Sequence, residues 1–264
     1  MSQHFKETPR NAITESGIAR VIPCKELDVS DPIKWLSLGF QDIKRAPGIS
    51  LFYGIMFAII PWAITGLVAM TGWHLVILPA LICFMLLGPY LAAGLYDVSW
   101  EMEKQHTPSL RHSLNAMKRN AVHEWGFAVL LIVLMIFWLR VASLIHAIYP
   151  PTYDETYQSF IPFLAVGTFV GMIFTVVLLF ISAFTQPILM ERKVDLATAV
   201  LTSVNAVWEN KVPMFIWGGI IFSCVALGFL TAFIGFVFLM PLLGYASWHA
   251  YIDAITTKKP RNYV

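Results

Sequence analysis

The chain has 264 residues, 58% of them hydrophobic and only 13% charged, with a formal net charge of +2. Soluble domains carry about 25% charged residues, so long uncharged runs place this chain among multipass membrane proteins. A net charge this small does not suggest nucleic acid, and none is expected as a partner. Three scattered cysteines, Cys24, Cys83 and Cys224, have no metal-ligand spacing and make no disulfide framework.

Residues 1–30 are polar, carry Lys6, Arg10, Arg20 and Lys25, and lack the apolar core of a cleavable leader. A loosely attached tail is expected there. Asp31–Gly48 reads as an amphipathic helix. Asp31 can cap it, Pro32 suits its first turn, and Pro47-Gly48 stops it. Ile33, Leu36, Phe40 and Ile43 share one face, while Lys44 and Arg45 sit in the last turn, where cations complement the helix dipole. Such a helix suits the lipid headgroup plane, with Asp31, Pro32, Trp35, Leu36, Phe40 and Pro47 as interfacial anchors.

Six spans follow, at about 49–70 (with Pro61 inside), 75–96, 125–148, 160–190, 213–230 and 233–251. The fourth is long enough to require tilt. The last two leave room only for a tight turn near Gly228–Gly235. The membrane domain is expected over 31–255, with a basic tail at 256–264. Every Lys and Arg except Arg140 falls before span one, between spans two and three, between four and five, or after span six. The positive-inside rule then places both termini in the cytoplasm. Trp35, Trp100, Trp125, Trp208 and Trp248 fall near the cytoplasmic ends and Trp73 near an outer one, as expected for indoles at the membrane interface.

The cytoplasmic segments resemble one another. Thr107-Pro108 repeats Asp31-Pro32, and Asp195 can cap a third helix. Ser37-Leu38-Gly39-Phe40, Ser113-Leu114-Asn115-Ala116 and Ser203-Val204-Asn205-Ala206 follow. Ten residues after each serine stand Pro47, His123 and Pro213. Each returning span carries a proline, Pro89, Pro187 or Pro241, which removes a backbone donor and can kink the helix. The expected fold is all-α: six transmembrane helices and three cytoplasmic amphipathic helices. Three units of about 31–96, 107–190 and 195–251 would make a pseudo-threefold bundle.

Candidate binding residues are few. Arg140 is the one basic residue off the cytoplasmic side, and a charge at membrane depth is a functional candidate unless it snorkels outward. Asp154 and Glu155 in the next loop are potential partners. Asp97, His249 and Asp253 lie near cytoplasmic span ends, with His249 and Asp253 one helical turn apart. His4, His74, His106, His112, His123, His146 and His249 include no facing pair central in a span, so no haem is expected. No metal, other cofactor or catalytic motif is expected either. Gly167 and Gly171 in span four offer a close helix approach.

Asp31-Pro32-x-x-Trp35-Leu36-x-x-Gly39-x-x-Asp42, followed by Ala46-Pro47-Gly48-x-Ser50-Leu51-x-Tyr53-Gly54, resembles the N-terminal signature of a bacterial family of integral membrane proteins. That family is domain-of-unknown-function family 2189. The resemblance implies a multipass protein of the bacterial inner membrane and brings no activity, catalytic residue or cofactor with it. Three functional classes then stand open. The leading one is a non-enzymatic, transporter-like or membrane-homeostasis module with a cytoplasm-facing cavity. The second is a scaffold or assembly partner of another membrane complex, or a homo-oligomer. The third is a lipid-modifying enzyme, which the absence of catalytic motifs disfavours. All three contact the lipid bilayer.

Overall fold

The computed structural model describes residues 21–71, 77–148, 160–192 and 194–256. These form α1 (Asp31–Arg45), α2 (Pro47–Thr71), α3 (Ile77–Glu103), α4 (Leu110–Ile148), α5 (Phe160–Ser182), α6 (Thr185–Glu191), α7 (Leu196–Glu209), α8 (Lys211–Leu230) and α9 (Phe236–Ala254). Among the described residues the only β pairing is an isolated bridge between Cys24 and Ile255. The expected turn at 71–74, the loop at 149–159 and the tail beyond 256 fall wholly or largely outside the described residues, as do the side chains of Cys83, Arg119 and His123.

Among the described residues, four segments have the length and hydropathy to cross a bilayer: Pro47–Met70, Trp125–Ile148, Ile161–Glu191 and Lys211–Leu230. They match the first, third, fourth and fifth expected spans. The helices expected as the second and sixth spans, α3 and α9, fall outside this set. α9 is mixed in character, with His249 and Asp253 among its apolar residues, whereas residues 77–94 of α3 are apolar and carry no charge. Each buries its last turns, including Asp97 in α3 and His249 in α9, in the protein core.

The junctions explain the helix boundaries. Pro47 begins α2 after a break at Ala46, and Pro213 lies in the first turn of α8 after a break at Asn210. The expected middle unit has His123 at the corresponding place, and there the expected surface helix and span run together as one 39-residue helix, α4. The second surface helix is therefore not a separate element, because nothing at 119–124 removes a backbone donor. Pro187 does coincide with a break, since α5 ends at Ser182 and α6 begins at Thr185. Ser203 of α7 bridges that break by accepting from Phe184 N (3.1 Å) and donating to the Phe180 carbonyl (2.8 Å). Pro89 and Pro241 remain inside continuous helices.

The packing runs round the bundle in one direction. α1 lies on α9, the start of α4 lies on α3, and α7 lies on α5 and α6. The returning helices α3, α6 and α9 also touch one another. Glycine permits the closest approaches. A Cβ at Gly39 of α1 would stand 2.9 Å from the Leu242 carbonyl of α9, and one at Gly54 of α2 would overlap the Val237 carbonyl. In α5, Gly171 sits against Trp138, whereas Gly167 faces open space.

The core collects where the Lys- and Arg-rich segments converge, hereafter the basic end. Trp35, Trp217, Trp248, Tyr53, Tyr245 and Tyr251 are fully buried there. Trp35 is thus no interfacial anchor: its ring meets Trp217 edge-on at 5.6 Å. The buried face of α1 is Pro32, Trp35, Gly39 and Asp42, while Ile33 and Phe40 of the expected stripe point outward. Trp248 is likewise interior, and Trp125 and Trp208 are exposed.

Residues 22–27, just before α1, are held rather than loose. Ile22 N donates to Thr202 Oγ1 (3.1 Å) and Leu27 N to Asn210 Oδ1 (2.8 Å), while Asn210 Nδ2 donates to the Lys25 carbonyl (3.0 Å). Lys25 N also bonds the Ala254 carbonyl at 2.8 Å. These bonds tie residues 22–27 to α7 and to the end of α9. At the far end, the turn between α8 and α9 is as tight as expected, with Ala232 and Phe233 in the left-handed region (φ 50° and 68°). Phe233 N closes it by bonding the Gly228 carbonyl at 2.8 Å.

Candidate functional site at the basic end

Three helices bring the first cluster together. Asp42 lies on the buried face of α1, Ser99 near the end of α3 and His249 near the end of α9. Ser99 Oγ donates to Asp42 Oδ2 at 2.6 Å, and His249 Nε2 bonds the same oxygen at 2.8 Å. All three side chains are buried. In a hydrolytic triad the hydroxyl bonds the imidazole. Here hydroxyl and imidazole share one carboxylate oxygen, so the serine is held as a donor and not activated as a nucleophile. His249 Nδ1 has no partner among the described residues.

A second cluster joins α2, α3 and α4. His112 Nδ1 bonds Asp97 Oδ2 at 2.9 Å. The Asp97 side chain is 2% exposed and that of His112 is 43% exposed, so the imidazole reaches solvent while its carboxylate does not. One residue on, Ser113 Oγ donates to the Gly94 carbonyl (2.7 Å) and pairs with Tyr53 Oη (2.6 Å). Asp97 Oδ1 is buried without a partner among the described residues. Nearby, Glu101 takes hydrogen bonds from Lys104 Nζ (2.9 Å) and the His106 ring (3.1 Å). Partial burial pushes its carboxyl upward, but these bonds outweigh burial and hold it below the usual range.

His249 and Asp253 are one turn apart, yet they serve different partners. Asp253 Oδ2 accepts from Trp35 Nε1 at 2.9 Å and from Lys34 Nζ at 3.0 Å, tying α9 to α1. The Tyr251 hydroxyl bonds Glu191 and accepts from Arg192 Nε (3.2 Å), while Arg192 Nη2 donates to the Thr256 carbonyl (2.8 Å). At the start of α7, Asp195 caps as expected, taking Thr198 N (3.0 Å) and Thr198 Oγ1 (2.7 Å). Those bonds hold its carboxyl below the usual range. Burial pushes the Cys24 thiol up, away from reactivity.

The structure therefore gathers Asp97, His249 and Asp253 at one end, each with a partner the sequence did not indicate: His112, Asp42, and Lys34 with Trp35. Arg140 stands apart on the exposed side of α4, with no hydrogen bond or ion pair to the described residues. One signal for Asp42 was available, since it continues the Pro32, Trp35, Gly39 spacing. Nothing local marks Ser99, whose role depends on α3 crossing α1. Among the described residues no group of three His, Cys, Asp or Glu side chains is placed to hold a metal ion.

Residues 77–191 match the family of predicted integral membrane proteins designated DUF2189. This is the family that the sequence resembles. The DUF2189 region runs from the start of α3 to the end of α6, so it contains Asp97, Ser99, His112, Ser113 and Arg140. Asp42, His249 and the stretch from Asp31 to Gly54 that carries the resemblance lie outside it. No curated protein and no solved structure matches the chain.

Proposed function

We propose that this chain is a six-span protein of the bacterial inner membrane, with both termini cytoplasmic, and that it works as a non-enzymatic assembly module for another membrane protein. The observation that carries the assembly reading is how the chemistry-bearing side chains at the basic end are used. Asp42, His249, Ser99, Asp253, Glu191 and Arg192 are hydrogen-bonded to one another or to Tyr, Trp and backbone groups, around buried aromatic rings. Groups used this way fix helices and leave little free for turnover or for a polar path. The exposed surface of the other half is apolar, including Phe137, Leu164, Phe169 and Met172. The unit-to-unit direction of packing supports the pseudo-threefold plan.

Purification in a mild detergent followed by native mass measurement tests this. A complex of fixed stoichiometry with a second membrane protein is expected. A single-copy particle that transports solute in vesicles would restore the transporter reading instead. For topology, a reporter active only outside the cytoplasm and fused after Val264 should be silent.

A further inference from the structure

Arg140 lies on the apolar span Trp125–Ile148, and its position leaves a charge that the described residues do not neutralise. The span has 24 residues, about 36 Å at 1.5 Å per residue. It exceeds a hydrocarbon layer of about 30 Å by roughly 3 Å at each end. Arg140 is eight residues before Ile148, so its Cα lies roughly 9 Å inside the apolar layer. A tilt of about 20° changes that depth by less than about 1 Å.

Snorkelling works poorly here. An arginine side chain reaches about 6–7 Å from its Cα. Moreover, Cα–Cβ bonds tilt toward the helix N-terminus. The nearer interface lies beyond the C-terminal end of α4, so the side chain leaves the backbone aimed at the bilayer centre. A cation held there calls for an opposite charge.

The surface around Arg140 has the form of a helix-docking seam. Val129, Val133, Ile136, Arg140, Ser143 and Ala147 recur at alternating steps of four and three, and the first five are exposed together with Ala147. That is the spacing of a face that receives another helix. Ser143 and Ala147, the residues flanking Arg140 toward the helix end, are small and allow a neighbouring backbone to come close. A second copy docking symmetrically by this seam would set Arg140 against Arg140, which like-charge repulsion opposes.

We infer that the α4 seam centred on Arg140 docks a transmembrane helix of a different protein, one bearing an Asp or Glu at the matching depth. This rests on the assembly reading above and supplies its contact. The test places a photo-reactive residue at Ile136 or Ser143, and at exposed Val176 of α5 as a control, in the full chain in its own membranes. The seam positions should each give one adduct of discrete mass, and Val176 none. The captured peptide should be an apolar span containing a carboxylate.

Arg140→Ala should lower the adduct by at least about tenfold, Arg140→Lys should retain it, and neutralising the captured carboxylate should match Arg140→Ala. An unchanged melting temperature of Arg140→Ala in detergent separates lost docking from lost folding; should that variant unfold, Arg140→Gln carries the same comparison. A native complex that survives in Arg140→Ala overturns the seam and spares the assembly reading. Absence of any complex from the unaltered chain overturns both. Adducts with lipid alone, with a second copy, or with the chain's own 149–159 segment also overturn the seam.

Discussion

The two halves of this molecule are held by different forces. At the basic end, large side chains from α1, α2, α3, α8 and α9 are wholly buried, and hydrogen bonds cross between helices that are far apart in sequence. In the other half, none of the most apolar window of Ile161–Glu191 is buried within the protein. Its inter-helix contacts use partly or largely exposed aromatic side chains, such as Trp138 stacked on Phe174 at 5.2 Å and Trp62 Nε1 bonded to the Ala232 carbonyl at 2.8 Å. Specific packing and polar pairing define the first half. The second needs only helices that satisfy their own backbone groups in lipid. One sequence thus contains a protein-like core at one end and a set of bilayer-solvated helices at the other.

Truncating one aromatic in each half tests that contrast most severely. Trp35→Ala removes a fully buried ring and the donor to Asp253. It should cost about 3–5 kcal/mol, read as a lowered melting temperature in detergent. Phe137→Ala, at 59% exposure, should stay within about 0.5 kcal/mol. Equal losses from the two variants would end the distinction between the halves.

The next largest effect concerns α4. His123→Pro copies the residue that stands at Pro47 and Pro213, but it falls inside the continuous α4. It should cost about 3 kcal/mol. A neutral result, by the same melting measurement, would mean that α4 bends there as readily as the other two junctions do.

A smaller loss is expected from the polar cluster. Asp42→Ala leaves Ser99 and His249 buried with no acceptor, a cost of about 2–3 kcal/mol. The second substitution, His249→Leu, should then cost less on the Asp42→Ala background than on the unaltered chain. Strict additivity of the two changes would show that the 2.8 Å contact carries no coupling.

These same residues show what a sequence makes legible. Helix positions follow from apolar runs and prolines, so α2, α5 and α8 stand close to where hydropathy puts them. The α5–α6 break at Pro187 follows from the missing donor. The buried face of α1 was harder to see, because its largest apolar residues, Ile33 and Phe40, are the ones left outside. Its interior members include a glycine and an aspartate, whose value depends on α9 and α3 lying across them. Pairs such as Asp97 with His112 are separated by a turn between helices, and Asp42 with His249 by nearly the whole chain. Pattern within a helix cannot reveal a partner that arrives by tertiary packing. Arg140 is the converse case, a residue conspicuous in sequence because it is a charge inside a long apolar run.

The smallest predicted effect places the Asp195 cap at the margin of the basic end. Its carboxyl accepts two bonds from Thr198, which lower its proton affinity relative to an ordinary value of 3.8. A folded-state value below the unfolded one contributes stability above the unfolded value and loses it as pH falls through the folded value. Asp195→Ala should therefore melt slightly below the unaltered chain at neutral pH, and the gap should close as the pH is taken below about 3.8. The cap acts on α7, whose Ser203 closes the break between α5 and α6, so fraying should spread there before it reaches α1. Hydrogen exchange at Phe184 N that rises in Asp195→Ala, with exchange in α1 unchanged, would show this order. Equal increases at both sites would instead make the basic end a single cooperative unit.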